Sequence, residues 1–331
     1  MTVKDVARAA GVAHSTVSKA LNASPEISEE TRARITAIAT DLGYRPNAIA
    51  RGLKSRQTRT LGIITSDRDG FLGTAMARGV AEVAGEQDFG VFVCDSYGHA
   101  DLERRHLAML LDKQVDGIIL AGDRVDHRAG PAIPTAGLPL AYLYGYTTDA
   151  VAPCVVPDDQ GGAQLATEHL IGLDRRRIGF INGPPSFEST QLRLLGYRQA
   201  LEEAGLPIDY RIVRVANDWT QLSGYRQARE LMAGPRPPDA LLCANDELAA
   251  GAVLGLLEGG LHVPDAVPVV GFENLPFAEH LPVPLTTVAL PLHEMGKLAA
   301  EKLLGALAGE PLREEIIRVP CKLVIRDSCG A

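Results

Sequence analysis

Residues 3–22 read VKDVARAAGVAHSTVSKALN, and this stretch contains two short helical patterns separated by a glycine. Thr2 and Asp5 have the spacing of a capping box, which predicts a helix starting near residue 3. Its apolar face comprises Val6, Ala7 and Ala10. Gly11 predicts a tight turn, because glycine tolerates the left-handed conformation. A second helix is predicted over His14–Leu21, with Val17, Ala20 and Leu21 facing inward.

The next informative stretch, residues 28–55, reads SEETRARITAIATDLGYRPNAIARGLKS and begins with a third helical pattern. Ser28 can cap this helix, and the acidic pair Glu29 and Glu30 suits the positive end of its dipole. Gly43 ends it. The expected buried stripe comprises Ile35, Ile38, Ala39 and Leu42. Two helices joined by a short turn and packed on a third predict a helix-turn-helix unit.

The outward face of the second helix carries short polar groups and one cation, which can reach base edges and phosphates. These residues are His14, Ser15, Thr16, Ser18, Lys19 and Asn22. The alternative is an ordinary solvated helix surface. Charge favours DNA: residues 1–60 hold ten basic and five acidic residues, a net +5, whereas the remainder is −13. A basic end on an acidic body is typical of a polyanion-binding module joined to a non-binding domain.

These sixty residues resemble the headpiece and hinge of the lactose/galactose repressor (LacI/GalR) family. The resemblance implies that helix 14–21 enters the major groove, with His14, Ser15 and Lys19 at base-reading positions. It places Thr16, Ser18 and Asn22 at positions that contact phosphates. One departure is Ala13, which stands where the family usually has a serine that caps this helix. The missing cap is expected to cost about 1 kcal/mol of local stability.

The same resemblance implies that residues 48–54 form a hinge helix only on operator DNA. Leu53 then corresponds to the leucine that wedges into the central base step of the operator. The accompanying candidates for DNA contacts are Asn47, Ala50 and Arg51. Seven residues are too few for a stable isolated helix, and Gly52 lowers helix stability further. The alternative is that Leu53 is a linker residue packed on the core.

From Leu61 onward, short apolar runs alternate with amphipathic helical patterns, which predicts parallel sheets built from βαβ units. The expected strands are Leu61–Thr65, Val91–Cys94, Gly117–Leu120, Leu140–Leu143, Arg177–Ile181, Arg211–Ala216, Ala240–Cys243 and Val267–Gly271. The expected helices are Thr74–Glu86, Glu103–Lys113, Gln160–Leu173, Leu194–Ala204, Leu222–Met232, Glu247–Glu258 and His293–Leu307. The run is too long for one sheet, so two doubly wound halves are expected.

The body also resembles the family, through VDGIIL (115–120), LLCANDELAAGAV (241–253), VVGFEN (269–274) and PLTTV (284–288). The implied fold class is an all-α helix-turn-helix headpiece plus an α/β periplasmic-binding-protein-like core of two subdomains. Three crossovers are expected near residues 158–161, 287–290 and 319–322. The implied division is a headpiece 1–45, a hinge and linker 46–60, and a core 61–331. Within the core, residues 61–160 and 290–320 form the N-subdomain, and residues 161–289 and 321–331 form the C-subdomain.

Matching to the family's sugar binders makes Arg193, Trp219, Asn245 and Glu273 the candidates that contact an effector in the cleft between the subdomains. Their chemistry suits a polyol, through bidentate hydrogen bonds and an apolar face for a ring. The alternatives are a surface ion pair for Arg193, a core position for Trp219, a helix cap for Asn245 and a turn for Glu273.

Departures from the sugar-binding pattern limit the choice of effector. Tyr144 stands where sugar binders often have Asp, and residues 66–71 replace the usual segment after the first strand. Asp67, Arg68 and Asp69 are therefore further candidates that face the ligand. A pocket holding both Arg68 and Arg193 favours a sugar acid or a sugar phosphate.

Two other classes of protein share features with this sequence. A periplasmic solute-binding protein shares the body's fold, but the N-terminus has no signal-peptide pattern and the headpiece is basic. A Rossmann enzyme would need G-x-G-x-x-G, yet no two of the 33 glycines are two residues apart. The five cysteines and eight histidines show no metal-ligand spacing. We expect no catalysis, no cofactor and no metal.

The expected protein is a cytoplasmic homodimer without a membrane segment. Its partners are a pseudo-palindromic double-stranded operator and a small carbohydrate effector. The resemblance implies that effector binding in the cleft changes hinge-helix formation, and thereby operator affinity.

Overall fold

A computed structural model describes residues 1–22, 24–44, 57–67, 70–128, 130–131, 133, 135, 137–147 and 151–330. The chain separates into two compact units. The first comprises Met1–Thr60 with Gln114–Asp116, and the second comprises the rest of the chain.

The first unit contains helices α1 (Val3–Ala10), α2 (His14–Leu21) and α3 (Glu29–Asp41) around a small apolar core. Both predicted start signals are present: the Asp5 carboxylate accepts the Thr2 N–H at 2.8 Å, and the Ser28 hydroxyl accepts the Thr31 N–H at 3.3 Å. Gly11 is left-handed, with φ of 65°, as the predicted turn requires. Val6, Val17 and Ile35 are fully buried, so each helix contributes to the core.

The second unit contains two six-stranded sheets. The first has the order β11-β5-β4-β3-β1-β2, and the second has the order β12-β10-β9-β8-β6-β7. The strands are β1 (Thr60–Thr65), β2 (Gly90–Asp95), β3 (Gly117–Ala121), β4 (Leu140–Leu143), β5 (Pro153–Pro157), β6 (Ile178–Asn182), β7 (Val213–Val215), β8 (Ala240–Cys243), β9 (Val269–Glu273), β10 (Thr286–Ala289), β11 (Glu315–Val319) and β12 (Lys322–Val324). In the first sheet, β1, β3, β4, β5 and β11 pair in parallel. In the second sheet every pairing is parallel except that between β10 and β12. The predicted fold class is confirmed.

Helices of this unit pack in pairs through glycines. The helices are α4 (Phe71–Glu86), α5 (Ala100–Asp112), α6 (Asp159–Gly172), α7 (Glu188–Glu203), α8 (Gln221–Met232), α9 (Asp246–Glu258) and α10 (Leu292–Leu307). A methyl group built on Gly79 of α4 would lie 2.0 Å from the His293 carbonyl oxygen of α10. Gly196 of α7 and Gly251 of α9 approach the backbone of α6 and α8 just as closely. These positions therefore need glycine for space rather than for conformation.

The chain passes between the two sheets three times. It leaves the first sheet after β5 at Pro157, returns from the second after β10 at Ala289, and crosses again between Val319 of β11 and Lys322 of β12. These passages put the carboxyl ends of the parallel strands of both sheets beside the connecting segments, which is where ligand sites form in such folds.

Several element boundaries differ from the sequence expectation. The predicted strand Arg211–Ala216 is instead a 3-10 turn, Tyr210–Ile212, followed by β7. The Asp209 carboxylate accepts the Arg211 N–H at 3.1 Å and so favours a turn there. Helix α7 begins at Glu188, six residues before the predicted start at Leu194, and residues 188–193 form its first turns. Strands β5, β10, β11 and β12 are absent from the strands that the sequence predicts.

Candidate functional site

Helix α2 is anchored by its apolar side and exposes its polar side. Val17 and Ala20 are buried against the other two helices. His14, Ser15, Lys19 and Asn22 are exposed, and Thr16 and Ser18 are half-buried. All six predicted DNA-contact residues of α2 thus lie at or near one accessible surface.

Two of these side chains already have partners within the headpiece. Lys19 Nζ contacts the Glu26 carboxylate, and Asn22 Nδ2 donates to the Ser18 carbonyl oxygen at 2.8 Å. Both members of the Lys19–Glu26 pair are exposed, so the pair contributes at most about 1 kcal/mol. Lys19 can therefore exchange Glu26 for a base edge at little cost.

The start of α2 has the uncapped geometry that the sequence predicts. Ala13 is its N-cap residue, and the Ala13 methyl group makes no capping hydrogen bond. The hinge candidates Asn47, Ala50, Arg51 and Leu53 lie outside the described residues, so their roles stay predictions.

In the body, the predicted effector residues gather around Arg193, which is 1% exposed. Its Nε and Nη2 both lie 2.7 Å from Oδ1 of Asp159, and its Nη1 donates to the Ala244 carbonyl oxygen. Nη1 is also 3.7 Å from a carboxylate oxygen of Glu273. The guanidinium carbon lies 4.0 Å from the ring centre of Phe272. Arg193 is therefore a buried ion-pair residue and not a surface one.

Burial and charge act in opposite directions on these groups. Burial alone would lower the pKa of Arg193, but the neighbouring Asp159 and Glu273 carboxylates raise it above its ordinary value. Burial raises the pKa of Asp159 and raises that of Glu273 to about 8, although Arg193 opposes both shifts. Burial, reinforced by the charge on Glu273, raises the pKa of Tyr144 well above its ordinary range. Tyr144, which follows β4 of the first sheet, thus shares an electrostatic environment with Glu273, which ends β9 of the second sheet.

Two of the clustered residues have unusual backbones at strand ends. Tyr144 directly follows β4 with φ of 52°, and Glu273 ends β9 with φ of 102°. Left-handed conformations are unfavourable for such side chains and persist where the surroundings impose them, commonly at ligand sites. The side chain of Glu273 keeps 19% exposure, and its role as a ligand contact stays a prediction.

Trp219 and Asn245 complete the group. The Trp219 ring lies 6.0 Å from the Arg193 guanidinium carbon, and a methyl group on Gly183 would overlap this ring at 2.0 Å. Phe187 packs edge-on against Trp219 with ring centres 5.4 Å apart. Asn245 Oδ1 accepts the Leu248 N–H at 2.8 Å, so this residue is the cap of α9. Its Nδ2 donates to the Trp219 carbonyl oxygen at 3.4 Å and fixes the segment that carries the ring.

The remaining effector candidates are placed differently. The Asp67 carboxylate accepts the Gly73 N–H at 2.8 Å, so it is engaged with the first turn of α4. Arg68 and Asp69 lie outside the described residues. Asp67 and Arg68 therefore remain predictions as ligand contacts.

The two halves of the body also touch beside α7. Asp126, after β3, accepts the backbone N–H of Glu188 at 3.0 Å, and the Tyr146 hydroxyl donates to the Glu188 carboxylate. An open cavity of about 480 Å³ lies here and includes Gln191 and Leu192 in its lining. Its size suits a small ligand. Leu192 is the neighbour of Arg193 on α7, so the cavity and the buried cluster share one helix.

Sequence reasoning missed Asp159, although this residue is the closest charged partner of Arg193. The signal was the acidic pair Asp158–Asp159 at an expected crossover, where the first residue caps α6 by accepting the Gly161 N–H at 2.9 Å. Phe272 was also missed. Its place beside Arg193 requires the tertiary fold.

Within the described ranges, no group of three or more His, Cys, Asp or Glu residues is arranged to hold a metal ion. Among these same residues, no helix combines the length and apolar character needed to span a membrane.

A helix-turn-helix unit with an exposed polar second helix, joined to a two-sheet ligand-binding core, defines a ligand-responsive DNA-binding regulator. Comparison with known proteins agrees. Residues 2–47 match the family of bacterial regulatory proteins named lacI, and residues 167–329 match a periplasmic binding protein-like domain. The ribose operon repressor of Escherichia coli is 32% identical over 335 residues, covering 99% of each chain. Catabolite control protein A of Priestia megaterium is 30% identical over 331 residues, covering 99% of each.

Solved structures give the same result. A lac repressor dimer bound to operator and the anti-inducer ONPF has a TM-score of 0.80 at 26% identity, covering 100% of this chain and 99% of that one. A complex of the transcriptional regulator CelR with cellobiose has a TM-score of 0.68 at 30% identity, covering 99% of each. The chain belongs to the LacI family and is a DNA-binding transcriptional regulator, as the resemblance implied.

Proposed function

We propose that this regulator is a homodimeric repressor that reads a pseudo-palindromic operator through α2 and the hinge. The observation that carries the proposal is the exposed polar face of α2. Its opposite side is fixed by Val17 and Ala20, so His14, Ser15 and Lys19 are presented on a rigid element. Rigid presentation of short polar groups and a cation is what major-groove reading requires.

Dimerisation is supported by apolar side chains that the described chain leaves exposed. Strand β2 ends the first sheet, and its Phe92 and Val93 are 45% and 57% exposed. In the other half, Leu222 of α8 and Leu254 of α9 are 55% and 49% exposed. Apolar groups exposed in both halves suit a second copy of the chain, which would bring two headpieces to one operator.

The effector site is the cluster formed by Arg193, Asp159, Glu273, Tyr144 and Trp219. It combines polar groups with an aromatic face at the strand ends of both sheets. That combination suits a carbohydrate. Effector binding there changes how the two halves of the body pack and, through the hinge, the affinity for operator.

The experiment is selection of binding sites from random duplex DNA by the full-length protein, followed by titration of variants. We expect a two-fold symmetric motif. Lys19→Ala should relax the preference at one base pair in each half-site. Lys4→Ala removes the same charge from α1 and is the matched control. A Lys19→Ala protein that loses affinity equally for all sequences would show that Lys19 contacts phosphate only.

The hinge is tested with Leu53→Ala. This variant should unfold at the same temperature as the wild type. It should lose most operator affinity, because alanine is too short to separate the bases of the central step and hold the DNA kinked. Unchanged operator affinity would rule out the wedge and leave Leu53 as a linker residue.

A further inference from the structure

One buried carboxylate holds the residues that lead into β1. Asp116, which directly precedes β3, is 7% exposed. Its Oδ1 accepts the Thr58 N–H at 3.0 Å, and its Oδ2 accepts the Thr60 N–H at 3.1 Å. The Thr58 hydroxyl lies 3.3 Å from Oδ2 and donates to the Gln114 carbonyl oxygen at 2.8 Å. Hydrogen bonds to a charged carboxylate are among the stronger ones in proteins, so residues 58–60 are firmly attached. We call this arrangement the linker clamp.

The clamped residues follow a bent course. Arg59, between the two held residues, is left-handed with φ of 51°. This conformation is unfavourable for arginine and persists where the surroundings impose it. The N–H groups on either side of Arg59 both donate to the same carboxylate, which supplies that restraint. The linker clamp therefore fixes the length and the course of the chain at this point.

A similar clamp is found in the second sheet. Asp239 directly precedes β8, and its carboxylate accepts the N–H groups of Arg176 and Arg177 at 2.9 and 3.0 Å. Its own N–H donates to the Arg177 carbonyl oxygen at 3.0 Å, just as the Asp116 N–H donates to the Thr60 carbonyl oxygen at 2.8 Å. Strand β8 pairs in parallel with β6, as β3 does with β1.

The two clamps hold segments that differ in what they connect. The segment held by Asp239 joins α6 to β6 within one half of the body. The segment held by Asp116 is the C-terminal end of the linker 46–60, which follows the headpiece in the chain. The linker clamp therefore sets how many residues separate the headpiece from the first fixed point of the body. The length of such a connection decides which pairs of sites two linked binding modules reach together.

We propose that Asp116 is a positioning residue for operator recognition and sets the spacing of half-sites that the dimer accepts. The inference rests on the proposed function, in which two headpieces read one pseudo-palindromic operator. Each released residue adds up to about 3.5 Å of reach. Releasing residues 58–60 thus adds roughly 10 Å per subunit, which corresponds to about three base-pair steps. With the clamp intact, a displaced half-site lies out of reach of the second headpiece.

The test is titration of the full-length protein with duplexes that share one motif and differ at its centre. The set comprises the two-fold motif obtained by site selection, the same motif with one base pair removed or with one or two inserted, and a single half-site. The wild type should prefer the selected spacing over the altered ones. Asp116→Ala should reduce this affinity ratio about fivefold or more, because a longer connection tolerates displacement of a half-site. Its affinity for the single half-site should stay within about twofold of the wild type, since α2 is unchanged.

Three further variants separate positioning from structural damage. Asp239→Ala removes the same two backbone interactions from the second sheet, so it should lower stability and leave the spacing ratio unchanged. Insertion of Gly-Ser-Gly directly before Thr58 lengthens the connection with the clamp intact and should lower the ratio as Asp116→Ala does. Asp116→Asn keeps one acceptor oxygen and should lower the ratio by a smaller factor, which provides a measurement if the alanine variant does not fold.

The outcomes distinguish this inference from the proposed function. If selection yields a two-fold motif but the wild type tolerates every spacing, or the Asp116 variants keep the wild-type ratio, the inference fails alone. An equal fall of the ratio in Asp239→Ala would also overturn it, because general destabilisation would then explain the change. If selection yields no two-fold motif, the proposed dimeric reading fails, and the inference fails with it.

Discussion

The headpiece and the body place their proposed recognition groups in opposite environments. On α2, Lys19 and Glu26 form an exposed pair that contributes little to folding. In the body, Arg193 and Asp159 form a pair whose side chains are 1% and 0% exposed. Recognition groups of the first kind can be changed without disturbing the fold. Those of the second kind help to specify the packing around them, so their replacement affects binding and stability together.

The largest effect that separates the two regions should come from removing each cation. Arg193→Met leaves Asp159 buried without a counter-charge and should lower the free energy of unfolding by about 3–5 kcal/mol. Lys19→Met removes a cation from the exposed pair and should change it by less than about 1 kcal/mol. Urea unfolding followed by fluorescence of Trp219, the single tryptophan, reports the body, and circular dichroism reports the whole chain.

The double variant Arg193→Met, Asp159→Leu is the control for the buried pair. It replaces both charges with apolar groups and should recover most of the lost stability, because the cost lies in the unpaired carboxylate. Equal losses in the single and double variants would mean that packing around Arg193, rather than charge, supports the body.

The same contrast explains what could be predicted from sequence. Asp5 and Ser28 each accept a hydrogen bond from a backbone N–H three residues away at the start of a helix, so the sequence spacing predicts their roles. The α2 surface followed from the helical period. Asp159 contacts Arg193 across 34 positions of sequence, and Asp67 turns to the Gly73 N–H because of the local backbone. Long-range pairing of buried charges has no periodic signal.

Strands show a related limit. Prolines bound β5 at both ends, and β10 lies in a segment expected only as a crossover, so neither run was predicted as a strand. Their place in the sheets is set by neighbours: β5 pairs with β4 and β11, and β10 with β9 and β12. Short strands of this kind are defined by their partners more than by their own residues.

Glycine substitutions in the body should give the next largest effect on stability. Gly251→Ala puts a methyl group 1.8 Å from the Gln221 carbonyl oxygen and should destabilise the body by about 1–3 kcal/mol. Gly85→Ala is the matched control, because its methyl group meets nothing within 4 Å in another helix of the body. It should be neutral or stabilise by up to about 1 kcal/mol. Thermal unfolding of the three proteins measures both effects.

Asparagine substitutions at Gly11 in the headpiece and at Gly251 in the body compare the two regions directly. Gly11 is left-handed and meets no neighbour within 4 Å, so Gly11→Asn should be tolerated, since asparagine adopts that conformation. Gly251→Asn should be at least as harmful as Gly251→Ala, because the site lacks space. Equal tolerance at both positions would show that α8 and α9 can move apart, and that close packing does not define the body.

The smallest effect concerns the start of α2, where the headpiece departs from its family. Ala13→Ser supplies a side-chain acceptor to the first turn and should stabilise the helix by about 1 kcal/mol. Hydrogen exchange of the peptide covering residues 14–22 in the full-length protein should slow about fivefold, which corresponds to that free energy. Ala37→Ser places the same hydroxyl on the exposed middle of α3, where serine slightly disfavours a helix. If both substitutions slow exchange equally, the gain at Ala13 does not come from capping the first turn of α2.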